Sequence, residues 1–173
     1  PMVLKRVEQV KSVRLSSPKA DTVKWASFPN QFTEDRQPEN NYLLVPSVSS
    51  ERRKYIPIGF MCPDTVASNL CLMIPGATSY HFGILSSGMH MAWVRSVCGR
   101  LKSDYRYSVG IVYNNFPWPQ TLTDRQKKTI EDAAQMVLDA REQFPDSSLA
   151  DLYDPLTMPE ALTKAHHKLD AAV

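Results

Sequence analysis

Three charged residues near the middle of the chain have types and a spacing suited to contacting the edge of a base pair. Lys102, Asp104 and Arg106 alternate with other residues, so an extended backbone would place them on one face. In the major groove guanine presents the acceptors N7 and O6, and its paired cytosine presents the N4 donor. Lys102 with Asp104 therefore fits one G·C pair. An exposed Lys–Asp ion pair that contributes little stability fits the same pattern.

The elements that must position these residues lie in the dense stretch 80–119. Apolar residues recur there at spacings of three and four, which predicts a helix over 80–97 with one buried stripe: Phe82, Leu85, Met89, Trp93 and Val97. Gly83 and Gly88 cost about 1 kcal/mol each in a helix interior, which implies close packing or a break near Ser86. The alternating, β-branched run 107–113 predicts a strand.

Shorter elements are expected before this stretch. Apolar spacing predicts a basic amphipathic helix over 4–14, either solvated or touching phosphate, and a second helix over 18–26. Runs 42–48 and 55–61 predict a hairpin, and 70–75 a buried strand. A cluster of cations at the tip of this hairpin is either solvated or in contact with phosphate: Arg52, Arg53 and Lys54.

After the stretch, the pattern predicts two longer helices. Thr123 is expected to cap a helix over 124–144, and another helix starts near Pro159. His81 and His90 sit among apolar neighbours and are interpreted as structural, whereas His166 and His167 are expected to face solvent.

Composition and the absence of known motifs exclude several classes of function. The 173 residues are 43% hydrophobic with a net charge of +2, so the chain can build a core, and binding of an acidic polymer must come from local clusters of Lys and Arg. Three cysteines form no CxxC pair, and no apolar run of about 18 residues occurs. We therefore expect a reduced, cytoplasmic protein with no membrane association. No phosphate-binding, metalloprotease or nucleophile motif is present, so we expect no catalytic centre and no metal in this chain.

Several long motifs resemble one family. GFM near residue 60, MHMAWVR at 89–95, GRLKSDYRYS at 99–108 and VYNNFPWP at 112–119 resemble the target-recognition region of the MmeI-like Type IIL restriction–modification enzymes. SSERRKYIPIGF and YDPLTMPEAL fit the same group. That family fuses nuclease, adenine-N6 methyltransferase and recognition domain in one polypeptide. The resemblance implies that S-adenosylmethionine binds the parent's methyltransferase domain, and that this chain itself holds no cofactor.

The resemblance also implies roles for individual residues. The positions matching Lys102 and Asp104 read the outermost specified base pair, where Lys with Asp goes with G, and Glu with Arg goes with C. The position matching Arg106 works with one near Leu70 at an interior base pair. Asn69 matches another specificity position, for which Glu51 is the candidate partner.

Three functions remain as hypotheses. The first is a duplex-DNA recognition domain over 1–119, with a C-terminal helical region over 120–173 packed on it and an intramolecular methyltransferase domain as partner. In it, cations of basic turns hold phosphates: Arg52, Arg53, Lys54, Arg95 and Arg100. The second is a protein-interaction domain that docks other subunits through its C-terminal helices. The third is an RNA-binding module that stacks bases on aromatic residues: Tyr105, Tyr107, Tyr113 and Trp118. In the expected α/β (α+β) fold, a small mixed sheet with a central packed helix precedes the helical segment.

Overall fold

The computed structural model describes residues 2–173 and divides the chain into two compact units, Pro1–Gln37 and Pro38–Val173. The predicted domain boundary at residue 119 lies inside the second unit. Across residues 2–173, none of the helices combines the length and apolar character needed to cross a membrane.

The first unit is helical. It contains α1 (Met2–Leu15), α2 (Ala20–Lys24) and a 3-10 turn (Trp25–Ser27), as the sequence predicts. Arg14 at the end of α1 donates to the carbonyls of Trp25 (2.8 Å) and Phe28 (2.7 Å). The expected amphipathic character of α1 is wrong within this unit, because the helix has no buried residue.

The second unit contains two three-stranded antiparallel sheets, where one small mixed sheet was expected. One sheet has the order β3–β1–β4 and the other β2–β6–β5. Their strands are β1 (Tyr42–Pro46), β2 (Val48–Ser49), β3 (Gly59–Met61), β4 (Cys71–Pro75), β5 (Gly99–Leu101) and β6 (Asp104–Arg106). With the helices around them, these sheets confirm the α+β class.

Two strand predictions need correction. The expected strand 42–48 divides at Ser47, and its two halves belong to different sheets. The expected strand 107–113 is wrong, because Val109–Tyr113 forms one turn of π-helix. Within it, the Trp93 indole N–H donates to the Val112 carbonyl (3.0 Å), so this tertiary contact satisfies a carbonyl that a strand ladder would otherwise use.

The predicted helix over 80–97 is two helices, α3 (Ser79–Leu85) and α4 (Gly88–Val97). The break at Ser86–Ser87 is one of the two outcomes that the glycines predicted. Ser87 caps α4, and its Oγ accepts from the backbone N–H of His90 (3.2 Å). The break rotates the buried stripe: Met89 is 62% exposed, and the buried residues of α4 are His90, Met91 and Val94.

Three helices complete the second unit: α5 (Asp124–Glu142), α6 (Leu149–Leu152) and α7 (Glu160–Ala172). Thr123 caps α5 as predicted, with its hydroxyl accepting from the Gln126 N–H (3.3 Å). Residues of β1, α3, α5 and α7 share one apolar core. The C-terminal helices are therefore part of the body that supports both sheets.

A buried polar group lies between these helices. Arg141 on α5 donates to the Ile58 carbonyl (2.7 Å) and to the Tyr153 hydroxyl, which also lies 2.7 Å from Nε2 of His166. Burial lowers the pKa of His166 to about 3, and the charge of Arg141 acts in the same direction. The expectation that His166 faces solvent is wrong, because its side chain is fully buried between Tyr55 and Tyr153.

Candidate nucleic-acid interface

The small β2–β6–β5 sheet has one buried face and one open face. Register pairs Ser49 with Tyr105 on the buried side, where both are almost inaccessible to solvent. Leu101 pairs with Asp104, and Val48 with Arg106. Because side chains alternate along a strand, Asp104 and Arg106 share the open face. The predicted common face is therefore present for these two residues.

Lys102 lies in the two-residue turn that joins β5 to β6. Its φ of 56° is in the left-handed region, which residues other than glycine occupy infrequently. Within residues 2–173, the Lys102 ammonium forms neither an ion pair nor a hydrogen bond. The alternative, an ion pair between Lys102 and Asp104, is therefore not formed in residues 2–173. The turn thus presents a free donor next to the outward carboxylate of Asp104.

Asp104 is oriented from a neighbouring segment. Its Oδ1 accepts from the backbone N–H of Glu51 (3.3 Å), which follows β2 along the chain. Glu51 lies there with Asp104 and with Arg100, whose Nη1 is 3.8 Å from Oε2 of Glu51. Asn69, its suggested partner, directly precedes Leu70 on the approach to β4, and no hydrogen bond joins Asn69 to Glu51 in the described part of the chain.

Ser47 brings Leu70 close to Arg106. Ser47 donates to the Leu70 carbonyl from both its N–H (2.9 Å) and its Oγ (2.7 Å), and its own carbonyl accepts from the Tyr107 N–H (2.8 Å). The next residue, Val48, pairs with Arg106. The sequence reasoning missed Ser47 and had no specific signal for it, since a serine after Pro46 is an ordinary turn residue.

Three of the five candidate phosphate-binding cations contact the C-terminal helices or the segment 51–54. Arg53 donates from Nη2 to the Ala150 carbonyl (3.4 Å), and Lys54 Nζ lies 2.9 Å from Nε2 of His167. Arg95 donates to the carbonyl of Lys54 (3.3 Å). The segment 51–54 is therefore held against the C-terminal helices rather than projecting as a hairpin tip.

Of the other two cations, Arg100 contacts the β5–β6 turn and Arg52 directly follows Glu51. Arg52 is exposed, and within residues 2–173 its side chain has no hydrogen-bond or ion-pair partner. Arg100 lies over the ring of Tyr105, with its guanidinium carbon 4.2 Å from the ring centroid. Arg52 is thus the cation of this set that is freest to meet a phosphate, which needs only an accessible positive side chain.

The aromatic side chains do not form an exposed stacking platform. Tyr105 and Tyr107 are buried, and Tyr113 and Trp118 are partly buried against the core. The hydroxyl of Tyr107 lies 3.0 Å from Nε2 of His90, whose pKa burial lowers to about 4. These aromatics lie in or against the core, and the interpretation of His90 as structural is confirmed. Base stacking on them, which the RNA hypothesis requires, is disfavoured.

No cluster in the described residues suits metal binding: residues 2–173 contain no group of three or more His, Cys, Asp or Glu arranged to hold an ion. The chemistry that the open face offers is hydrogen bonding. A two-stranded β-ribbon is one of the elements that the major groove admits. These features define a class of protein: a small α+β domain that carries hydrogen-bond donors and acceptors on the open face of a β-ribbon.

The chain belongs to the MmeI family. Residues 1–120 match the family model described as the MmeI target recognition domain, and residues 122–173 match the MmeI C-terminal domain. The predicted family resemblance is thereby confirmed.

Two relatives agree with this assignment. The chain is 47% identical over its full length to DNA methyltransferase A of Bacillus subtilis (strain 168), of which it spans 20%. It is also similar, with a TM-score of 0.93 and 50% identity over its full length, to the Type IIL restriction–modification enzyme MmeI solved in complex with DNA, of which it spans 23%. The chain therefore corresponds to about a fifth of these relatives.

Proposed function

We propose that this chain reads duplex DNA sequence for a restriction–modification adenine methyltransferase, by placing the β5–β6 ribbon in the major groove. The observation that carries the proposal is the open face of the ribbon. Asp104 and Arg106 point outward there, and the unpaired Lys102 lies at its turn. The family assignment and the similarity to a relative solved with DNA support the same function.

In this proposal Lys102 and Asp104 read the outermost specified base pair. The Lys102 ammonium donates to N7 or O6 of guanine, and the Asp104 carboxylate accepts from N4 of the paired cytosine. The carboxylate has capacity for this second bond, because an ionised Asp offers about four lone-pair sites and Glu51 uses one of them.

Arg106 and Leu70 act together at an interior pair, and Ser47 sets their separation. Asn69 contributes at a further position, since its side chain is exposed next to Leu70. Glu51 acts at the hairpin end of the surface, beside Asp104.

Phosphate contacts supply affinity that does not depend on sequence. Arg52 is the strongest candidate, because it is exposed and otherwise unengaged. Lys54 and Arg95 are also exposed and remain within reach of a backbone beside the ribbon. Arg53 is half-buried and directed at α6, so its proposed contribution is smaller.

The remaining part of the parent polypeptide supplies the catalysis. We infer that an intramolecular methyltransferase domain binds S-adenosylmethionine and methylates N6 of an adenine flipped out of the duplex. The recognition domain 1–119 and the C-terminal region 120–173 would hold that domain at its site. Such a protein works in the cytoplasm, where bacterial DNA lies.

The alternative of a docking domain that uses the C-terminal helices is less well supported. Residues on α5 and α7 that would form a docking face are already buried in the core of the second unit: Ile130, Val137, Leu162 and Leu169.

The test is a charge exchange in the full-length protein. Lys102→Glu together with Asp104→Arg reverses the donor and acceptor order, so methylated sites should change from G·C to C·G at one position and keep all others. Methylated adenines are mapped by sequencing DNA from cells that express each variant. The matched control reverses an exposed ion pair on α5, Lys128→Glu with Asp132→Arg, and should leave the sites unchanged. Unchanged sites in the ribbon variant would refute the assignment.

A further inference from the structure

We propose that Arg100 is a positioning residue for base reading, which holds Lys102 and Asp104 in their reading geometry, rather than a phosphate contact. The inference rests on the proposed function, because it concerns how the same ribbon recognises its base pair. It also changes the role that the sequence suggested for Arg100.

The Arg100 side chain is anchored at three points. Its guanidinium carbon lies 4.2 Å from the centroid of the Tyr105 ring, Nη1 donates to the Ser103 carbonyl (2.9 Å), and Nη1 lies 3.8 Å from Oε2 of Glu51. Tyr105 is only 4% exposed, so the platform beneath the guanidinium is fixed by the core. Arg100 therefore connects the buried face of the sheet to the β5–β6 turn and to the segment after β2.

The contacts of Arg100 with Ser103 and Glu51 act on the segments that hold Lys102 and Asp104. Ser103 is the second residue of the turn, immediately after Lys102, whose φ of 56° is unfavourable for a residue with a side chain. A hydrogen bond to the Ser103 carbonyl fixes that turn from within its own hairpin. On the other side, Glu51 is drawn to Arg100, and its backbone N–H donates to Asp104. Without Arg100, both the turn and the carboxylate lose a constraint.

The arrangement depends on the shape of the guanidinium and not only on its charge. A planar guanidinium stacks on an aromatic ring and presents several donors in a fixed fork, whereas an ammonium is a compact point charge. Arg100→Lys therefore keeps the positive charge near the DNA and removes the stacked, forked anchor. This substitution separates a positioning role from a phosphate role, which a charge alone can fulfil.

The experiment uses the full-length protein and a library of random duplexes. Binding selections at fixed ionic strength give the preference at each base pair for the unsubstituted protein, Arg100→Lys and Arg100→Gln. The control is Arg125→Lys, the same change at an exposed position of α5 that has no part in the surface. Circular dichroism verifies folding of each variant.

We expect Arg100→Lys to reduce discrimination at the G·C pair read by Lys102 and Asp104 on the order of tenfold, the size that one good bidentate base contact supplies. Preferences at pairs that neither Asp104 nor Glu51 reads should stay as they are, which provides an internal reference for folding. The slope of log affinity against log salt should also stay the same for Arg100→Lys, since no charge is lost. Arg100→Gln should relax the same base pair.

Two results would overturn the inference. One is an unchanged preference at every base pair in Arg100→Lys, which a phosphate role predicts. The other is an equal loss of preference at all pairs, which a purely structural role predicts. Failure of the proposed function gives a different result: the unsubstituted protein itself would select no sequence from the library.

Discussion

The stability of α4, the helix that leads directly into the β5–β6 hairpin, should depend on one carboxylate from the last helix. Asp170 on α7 accepts from the backbone N–H of Gly88 (2.7 Å), the first residue of α4, and from the Tyr55 hydroxyl (2.7 Å). Burial raises the pKa of Tyr55, and the hydrogen bond to Asp170 acts in the same direction, so Tyr55 remains a donor. We predict that Asp170→Ala is strongly destabilising.

The size of the effect follows from the two bonds. A hydrogen bond to a charged group contributes about 1.5–3 kcal/mol, and a carboxylate at a helix N-terminus adds about 0.3–1 kcal/mol. Removing both bonds also leaves the hydroxyl of Tyr55 unsatisfied, and Tyr55 is 1% exposed. The variant has no carboxylate to desolvate on folding, which offsets part of this loss. We therefore expect Asp170→Ala to lower the free energy of unfolding by about 3 kcal/mol. Asp170→Asn keeps one acceptor and should cost about half as much.

Urea unfolding of the 173-residue chain, followed by circular dichroism, measures these differences. Tyr55→Phe and the double variant complete a cycle with Asp170→Asn, and the coupling between the two positions should be about 1 kcal/mol. Asp146→Asn is the matched control, because Asp146 is exposed and far from these bonds in the sequence. A cost below about 1 kcal/mol for Asp170→Ala, the value of one ordinary hydrogen bond, would refute the reasoning.

Two further predictions concern the same core. Gly83→Ala should destabilise the chain despite the gain of about 1 kcal/mol in helix propensity, because the new Cβ would lie 2.9 Å from a methyl of the stiff Ile130 side chain and overpacking costs about 1–3 kcal/mol. Gly110→Ala, with open space around its Cβ, is the control. A rise in the unfolding midpoint of Gly83→Ala would contradict the packing argument. The chain should lose stability as pH falls from 6.5 to about 4, because the pKa values of His90 and His166 are lowered to about 4 and about 3 in the fold and the unfolded state therefore binds the extra protons. His90→Gln should reduce this loss in the free energy of unfolding, measured at several pH values. An unchanged dependence of that free energy on pH would count against a buried neutral His90.

The sequence by itself determined the local elements that have strong periodicity or clear capping and boundary residues. The helix after Thr123 and the strand at Cys71–Pro75 lie where they were expected, because capping chemistry and a bounded apolar run act over a few residues. The expected burial of that strand is wrong, since none of its residues is buried. The motifs around Lys102, Asp104 and Arg106 also identified the family, since long matches do not depend on knowing the fold.

Tertiary structure decided what lies between those elements. The turn at Val109–Tyr113 has a strand-like composition, yet contacts with α4 make it helical. His166 is hydrophilic in sequence and buried in the fold, because Tyr153 supplies a partner from another segment. Ser47, Leu70 and Arg106 meet only because one strand divides between two sheets. Such contacts join residues far apart in the chain, so no local pattern encodes them, and they position the charged residues that the sequence had already singled out.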